Sequence, residues 1–170
     1  GVFDAHTLDE YLVLALHTQL CSGLTPQFVG WRRIAVVVGT HTPPEPHRVA
    51  LLMHEYGLDL QARVSSLDAG VPASNDATGS RDIDTAALFE TLAFAEGHLL
   101  SIHPFTDFNG RTTRLFLRLL MRRLDLPAVA IVADPDRPEP YFETLRAADR
   151  RDWRPLQALW QQRIEQEPQA

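Results

Sequence analysis

The sequence contains no lysine: all sixteen of its basic residues are arginine. Two explanations fit that absence, the codon usage of a GC-rich genome and the avoidance of ubiquitin acceptors by a protein working inside a host cell. Arginine in either case binds carboxylate and phosphate through a fixed fork of donors. Cysteine is nearly missing too. Cys21 stands alone, which excludes a disulfide framework and a thiolate zinc site. No apolar run approaches the ~18 residues that a membrane-spanning helix needs. The opening GVFDAHTLDE lacks the basic-then-apolar order of a secretory leader. If Gly1 is a scar of expression, the chain is a domain cut from a longer protein, and any targeting segment lies outside it. An excess of positive charge is lacking as well. The net charge is −6 and the pI about 5.6, which argues against a general nucleic-acid binder. No repeat and no low-complexity tract occurs.

What remains is 170 residues, 45% of them apolar, enough to bury one real core. The charge is uneven. Residues 1–85 carry −5 and residues 86–170 only −1, and five arginines fall between Arg111 and Arg123 with no acid among them. A cationic spot on an acidic protein points to a small anionic ligand rather than a polyanion.

Leu8, Leu12, Ala15, Leu16 and Leu20 follow helical spacing, with Thr7 as the expected N-cap and Gly23 as the stop. Arg33–Val38 is short and β-branched, and predicts a strand. It runs into Gly39-Thr40-His41-Thr42-Pro43-Pro44-Glu45-Pro46, whose three prolines forbid helix and central strand. Residues 34–48 are therefore expected to form a hairpin-like flap exposed on one edge. A helix over Val49–Tyr56 is expected to end at Gly57, and residues 65–82 to form a surface loop. Asp84 should cap a strong helix on which Ala87, Leu88, Thr91, Leu92, Ala95 and Leu99 share a face. Glu96, Gly97 and His98 read as helix packing or surface. Further helices are expected from Asn109 to about Leu124, from Glu139 to Ala148, and from Trp153 to about Glu165. The result is a mostly helical protein with one small β element.

The segment His103–Arg114, HPFTDFNGRTTR, concentrates the chemistry. His103 precedes a proline and is held out of helix. Asn109-Gly110 opens the next helix, whose N-terminus favours negative charge and whose glycine lets backbone amides approach a ligand. Arg111 and Arg114 share the first turn, and Arg118 and Arg122 continue the face. Asp107 adds a carboxylate at the edge, and a carboxylate beside a phosphate site is the usual setting for Mg²⁺. His103 is the candidate base. Taken singly, His103 reads as a hydrogen-bonded loop residue, Asp107 as a helix cap, and Arg114, Arg118 and Arg122 as a solvated helix face. Phe105 reads as a core plug on any account. Their joint spacing within twelve residues points instead to phosphoryl or nucleotidyl transfer.

The segment resembles the signature of the Fic family, HPFxxGNGRxxR, with an acid before the first glycine; His103, Pro104, Phe105, Asp107, Asn109, Gly110, Arg111 and Arg114 match it. Gly30-Trp31-Arg32, Ile34–Gly39 and Val49–Met53 resemble the family's stretch through its flap. Arg137, Tyr141 and Leu145 resemble its C-terminal pattern. The resemblance implies an all-α fold: a Fic-like helical bundle over residues 1–170, motif core 84–124, with a small β-hairpin flap at 34–48 over the active site. It implies transfer of a nucleoside monophosphate, most often AMP from ATP, to a Ser, Thr or Tyr hydroxyl of a target protein. By position, His103 would deprotonate the hydroxyl and Asp107 would hold Mg²⁺. Asn109 and the Gly110 amide would face the α-phosphate, Arg111 would clamp the β-phosphate, and Arg114 would reach the β- and γ-phosphates. The flap would align the target segment by strand addition.

Phe108 stands where the family has its first glycine. Either the loop bends differently there, or Phe108 lies along the nucleotide; UTP, CTP, GTP or CDP-choline is then an alternative donor to ATP. A kinase-like reaction, removal of AMP, and a non-catalytic nucleotide-binding helical domain are the other readings. The family's inhibitory motif, [ST]xxxE[GN], has its nearest counterpart at Glu96-Gly97, but position 92 is Leu. The expectation is a domain not inhibited in cis, or one inhibited in trans or by a removed segment. The expected location is the cytoplasm, or the host cytosol for a secreted effector.

Overall fold

In a computed structural model, residues 6–69 and 84–166 are described. They form six α-helices: α1 (Glu10–Cys21), α2 (Val49–Ala69), α3 (Thr85–Ile102), α4 (Asn109–Arg123), α5 (Glu139–Asp149) and α6 (Arg154–Glu165). The fold is all-α, as expected. The central member is α3, which packs against α2, α4, α5 and α6. Every residue of α3 from Thr91 to Leu99 is buried, so the helix is apolar around its circumference rather than along one stripe. Asp84 caps it, its carboxylate accepting from the amides of Ala86 at 3.0 Å and Ala87 at 3.2 Å. One apolar cluster, running from Leu8 to Trp160, fills the space between the helices.

Several sequence expectations need correction. Asp9, not Thr7, caps α1, accepting from Leu12 N–H at 3.0 Å. Gly57 does not end its helix; α2 runs through it to Ala69. A Cβ at position 57 would stand 2.8 Å from Glu10 Oε2 and 3.2 Å from the Glu10 amide. The glycine is there because the start of α1 crosses α2 at that point. Residues 65–69 of the expected surface loop are helical; 70–83 lie outside the described residues.

The largest departure is at Arg33–Val38. Among the described residues there is no strand there, only one antiparallel bridge between Val38 and His41. Its two hydrogen bonds, Val38 N–H to His41 O and the reverse, are both 2.9 Å. Gly39 supplies the positive φ of +59° that begins so tight a turn. The β-branched run has no second strand to pair with, because the prolines after the turn offer few ladder donors. Side chains anchor the segment instead. Arg32 is 2% exposed. Its Nη1 donates to Ile34 O at 3.1 Å, its Nη2 to Pro44 O, and its Nε to His103 O at 2.7 Å. One guanidinium thus ties both arms of the flap to the end of α3, where a cation is favoured by the helix dipole.

Candidate active site

His103 is the C-cap of α3, in the left-handed region at φ 49° and ψ 61°. Its N–H closes the helix on Leu99 O at 3.1 Å. The following proline blocks continuation, and histidine is among the residues that accept positive φ. Burial lowers its pKa, Arg32 and His41 push the same way, and the Leu100 carbonyl and Asp107 push against them. The imidazole is therefore neutral at pH 7, the form in which it accepts a proton.

Between His103 and α4 lies a five-residue loop. Asn109 organises it: the Phe105 amide donates to Asn109 Oδ1 at 3.0 Å and Asn109 Nδ2 donates to Phe105 O at 2.9 Å. With the residue 4% exposed, the side chain expected at the α-phosphate has committed one donor and one acceptor to loop geometry. Phe105 is the plug that the sequence indicated, 1% exposed. His17 of α1 lies parallel to it, ring centroids 3.6 Å apart, and meets Asp107 O at 3.2 Å through Nε2. Nothing in the local sequence marks His17, a lone histidine in an apolar helix, as a support of this loop.

Phe108 keeps the left-handed conformation that a glycine would take, φ 64° and ψ 10°. The ring does not lie open along the cleft. It is 8% exposed, with the Arg111 guanidinium 4.1 Å above its centroid. Asp107 is exposed and accepts from the Phe108 amide at 2.6 Å. It does not cap α4, which begins with no side-chain cap. The first-turn amides of α4 are thus left to an external acceptor.

A cleft of about 400 Å³ opens between the turn at residues 38–41, the start of α4 and α5, within the range of small-molecule sites. His103, Gly110 and Arg114 form its floor, the turn at residues 38–41 one wall, and Tyr141 and Phe142 of α5 another. Arg114 folds back on the helix start: a Cβ on Gly110 would meet its Nη1 at 3.4 Å. Arg111 sits over Phe108 instead, outside that lining, so the two arginines divide the loop between them. Arg111, Arg118 and Arg122 are exposed on α4. His41 closes the near wall, donating from Nε2 to Ser101 O at 2.8 Å, with Asp149 Oδ2 3.5 Å from Nδ1.

Glu96, the nearest counterpart of the inhibitory glutamate, is committed elsewhere. It is 1% exposed, accepts from Tyr141 Oη at 2.6 Å, and pairs with Arg163 Nη1 at 3.1 Å. Gly97 beside it is a close-packing glycine, where a Cβ would meet that of Ala148 at 2.7 Å. Among the described residues no group of three or more His, Cys, Asp or Glu gathers around a metal position. No helix there is long and apolar enough to cross a membrane.

The sequence profile of the Fic/DOC family matches residues 7–121. The chain is 34% identical over 145 residues to the protein adenylyltransferase Fic of Drosophila ananassae, covering 85% of this chain and 25% of that protein. It is 31% identical over 151 residues to the protein of the same name from Nematostella vectensis, covering 88% of this chain and 30% of the relative. Fic-1 (residues 134–508) from C. elegans superposes with a TM-score of 0.67 at 25% identity, over 95% of this chain and 42% of that one. The chain thus spans about a quarter to a third of the length of these curated relatives. With the signature loop, the helical fold and the profile in agreement, the chain belongs to the Fic/DOC family.

Proposed function

We propose that this chain, as one Fic domain, transfers AMP from ATP to a hydroxyl side chain of a target protein. The observation that carries the reading is the meeting, in one cleft, of a neutral His103 with the start of α4, where no side chain caps the helix and Arg114 arches over Gly110. The names of the relatives support the adenylyl group as cargo.

In this reading His103 accepts the proton of a Ser, Thr or Tyr hydroxyl as its oxygen bonds to the α-phosphorus. The bond from that phosphorus to the bridging oxygen breaks, and pyrophosphate leaves with the electron pair. The amides of Asn109 and Gly110, with the remaining N–H of the Asn109 side chain, face the charge that grows on the α-phosphate. Arg111 and Arg114 hold the β- and γ-phosphates. Phe142, 44% exposed on the cleft wall, offers the base a stacking face. Ile34 and Val37, 57% and 70% exposed, offer apolar side chains to the target segment.

Asp107 fits Mg²⁺. It is a hard, exposed carboxylate in the loop that leads into α4, and Mg²⁺ takes one or two protein carboxylates and completes its octahedron with phosphate and water. When bound, the ion would neutralise part of the triphosphate's charge.

The test is incubation with α-labelled and γ-labelled forms of all four NTPs, with and without EDTA, reading label on the chain itself as well as on added protein. Label from α-labelled ATP, lost in EDTA, is the expected result. Label from the γ position instead makes the protein a kinase. A wild type that binds ATP but transfers neither label is a nucleotide-binding domain.

A further inference from the structure

Phe108 occupies a backbone position that is strained for a non-glycine residue. Its φ of 64° is that of a residue without a Cβ. Such strain persists only where something offsets it. Two contacts do so. The ring is buried to 8% exposure and meets the His17 ring nearly at right angles, centroids 6.5 Å apart at 79°. The Arg111 guanidinium lies over the ring, 4.1 Å from its centroid.

Arg111 is otherwise an exposed side chain on the first turn of α4, with rotamer freedom to lose when it meets a phosphate. A ring beneath it removes much of that freedom in advance. The geometry leaves the arginine usable. Stacking takes the face of the guanidinium, while a phosphate is bound through the N–H groups along its edge. The ring is also fixed relative to Asp107, whose Oδ1 accepts from the Phe108 amide at 2.6 Å.

We infer that Phe108 is a positioning residue whose ring holds the Arg111 guanidinium in one stacked position before the nucleotide arrives, ready for the donor's β-phosphate. The inference rests on the ATP-donor reading above. It assigns to the residue that departs from the family signature a role that the glycine it replaces cannot fill. It also means that base selection is not the work of Phe108.

The experiment combines NMR of the arginine side chain with ATP binding by calorimetry. In the wild type, the Arg111 Nε–H and its neighbouring methylene protons should be shifted upfield by the ring current. Phe108→Leu should remove the shift and weaken ATP binding about five- to tenfold, the range of one cation–π contact. Phe108→Trp should keep both. Phe108→Gly should also lose the shift and the affinity while the melting temperature holds, because the glycine relieves the backbone; a merely structural residue would lower the melting temperature without separating Arg111 from ATP. In an Arg111→Ala background, Phe108→Leu should weaken ATP by less than about twofold, since the effect runs through the arginine. An unshifted Arg111 signal in the wild type, or additive losses in the double variant, overturns the inference. A Phe108→Leu protein that loses the shift but binds ATP like the wild type overturns it and leaves the donor reading standing. A wild type that shows the shift but binds no ATP removes the donor reading, and the positioning role with it.

Discussion

The Nε–H of Arg32 donates to the carbonyl oxygen of His103 at 2.7 Å, across a sequence separation of 71. The same guanidinium donates to Ile34 O and Pro44 O and comes within 3.4 Å of Ile102 O. The candidate base and the flap are therefore set by one buried cation. An Arg32→Ala protein would leave those carbonyls unsatisfied in a dry site, at about 1–3 kcal/mol each where water cannot reach. We expect a loss of about 3 kcal/mol or more by urea unfolding. Arg32→Lys, which keeps the charge but not the fork, should recover only part of it. A substitution costing under about 1 kcal/mol would mean that the flap and His103 are held independently.

His103→Ala should abolish transfer while retaining ATP affinity. The residue sits at a helix end and its proposed task is proton transfer in the chemical step. The pH profile carries the same assignment. Burial lowers the pKa of His103 below its ordinary 6.5, so the neutral form persists to lower pH than in a free imidazole. The acid limb of kcat/KM should then fall below pH 6.5. An acid limb above that value, or parallel losses of affinity and rate in the alanine variant, contradicts the base role.

Arg114 lines the cleft and closes on the start of α4, while Glu96 is bound to Tyr141 and Arg163. The isolated chain should therefore be active without removal of an inhibitor. Arg114→Ala should lose on the order of 2–4 kcal/mol of charge-assisted contact, roughly 30- to 1000-fold in kcat/KM for ATP. Activation by the same substitution would show that the arginine serves an inhibitory carboxylate.

His98 predicts how the fold responds to acid. Its ring lies among Tyr56, Phe94 and Trp153 with centroids 6.0, 5.1 and 5.9 Å away. Burial, aided by Arg151 and Arg63 and opposed by Asp59, lowers its pKa to about 4. Between about pH 6.5 and 4 the unfolded chain binds a proton that the folded one refuses, so stability falls as pH falls through that window. The loss from pH 7 to pH 4.5 should be about 2–3 kcal/mol from this residue alone. Urea unfolding of His98→Leu should show a correspondingly shallower dependence over the same interval. Equal slopes for the two proteins would refute the assignment.

The sequence by itself determined most of the helices and the chemistry-bearing loop, because both are local. Asp84 caps α3 through amides two and three residues away, and Pro104 bars helix at His103 from one residue away. The HPFTDFNGRTTR run carries its histidine, carboxylate, amides and arginines within one stretch of chain. What the sequence could not carry were decisions made between residues far apart along it. Gly57 looks like a stop until α1 is seen crossing at Glu10. Arg33–Val38 looks like a strand until it is found without a partner and held by Arg32. His17 has no neighbour in sequence that betrays its stacking on Phe105, a separation of eighty-eight positions. Glu96 resembles an inhibitor by its motif and is a buried partner of Arg163 by its contacts. Local backbone preference and spacing fix elements, whereas the pairing of buried polar groups depends on which of them packing brings within hydrogen-bond reach, and that only the tertiary structure decides.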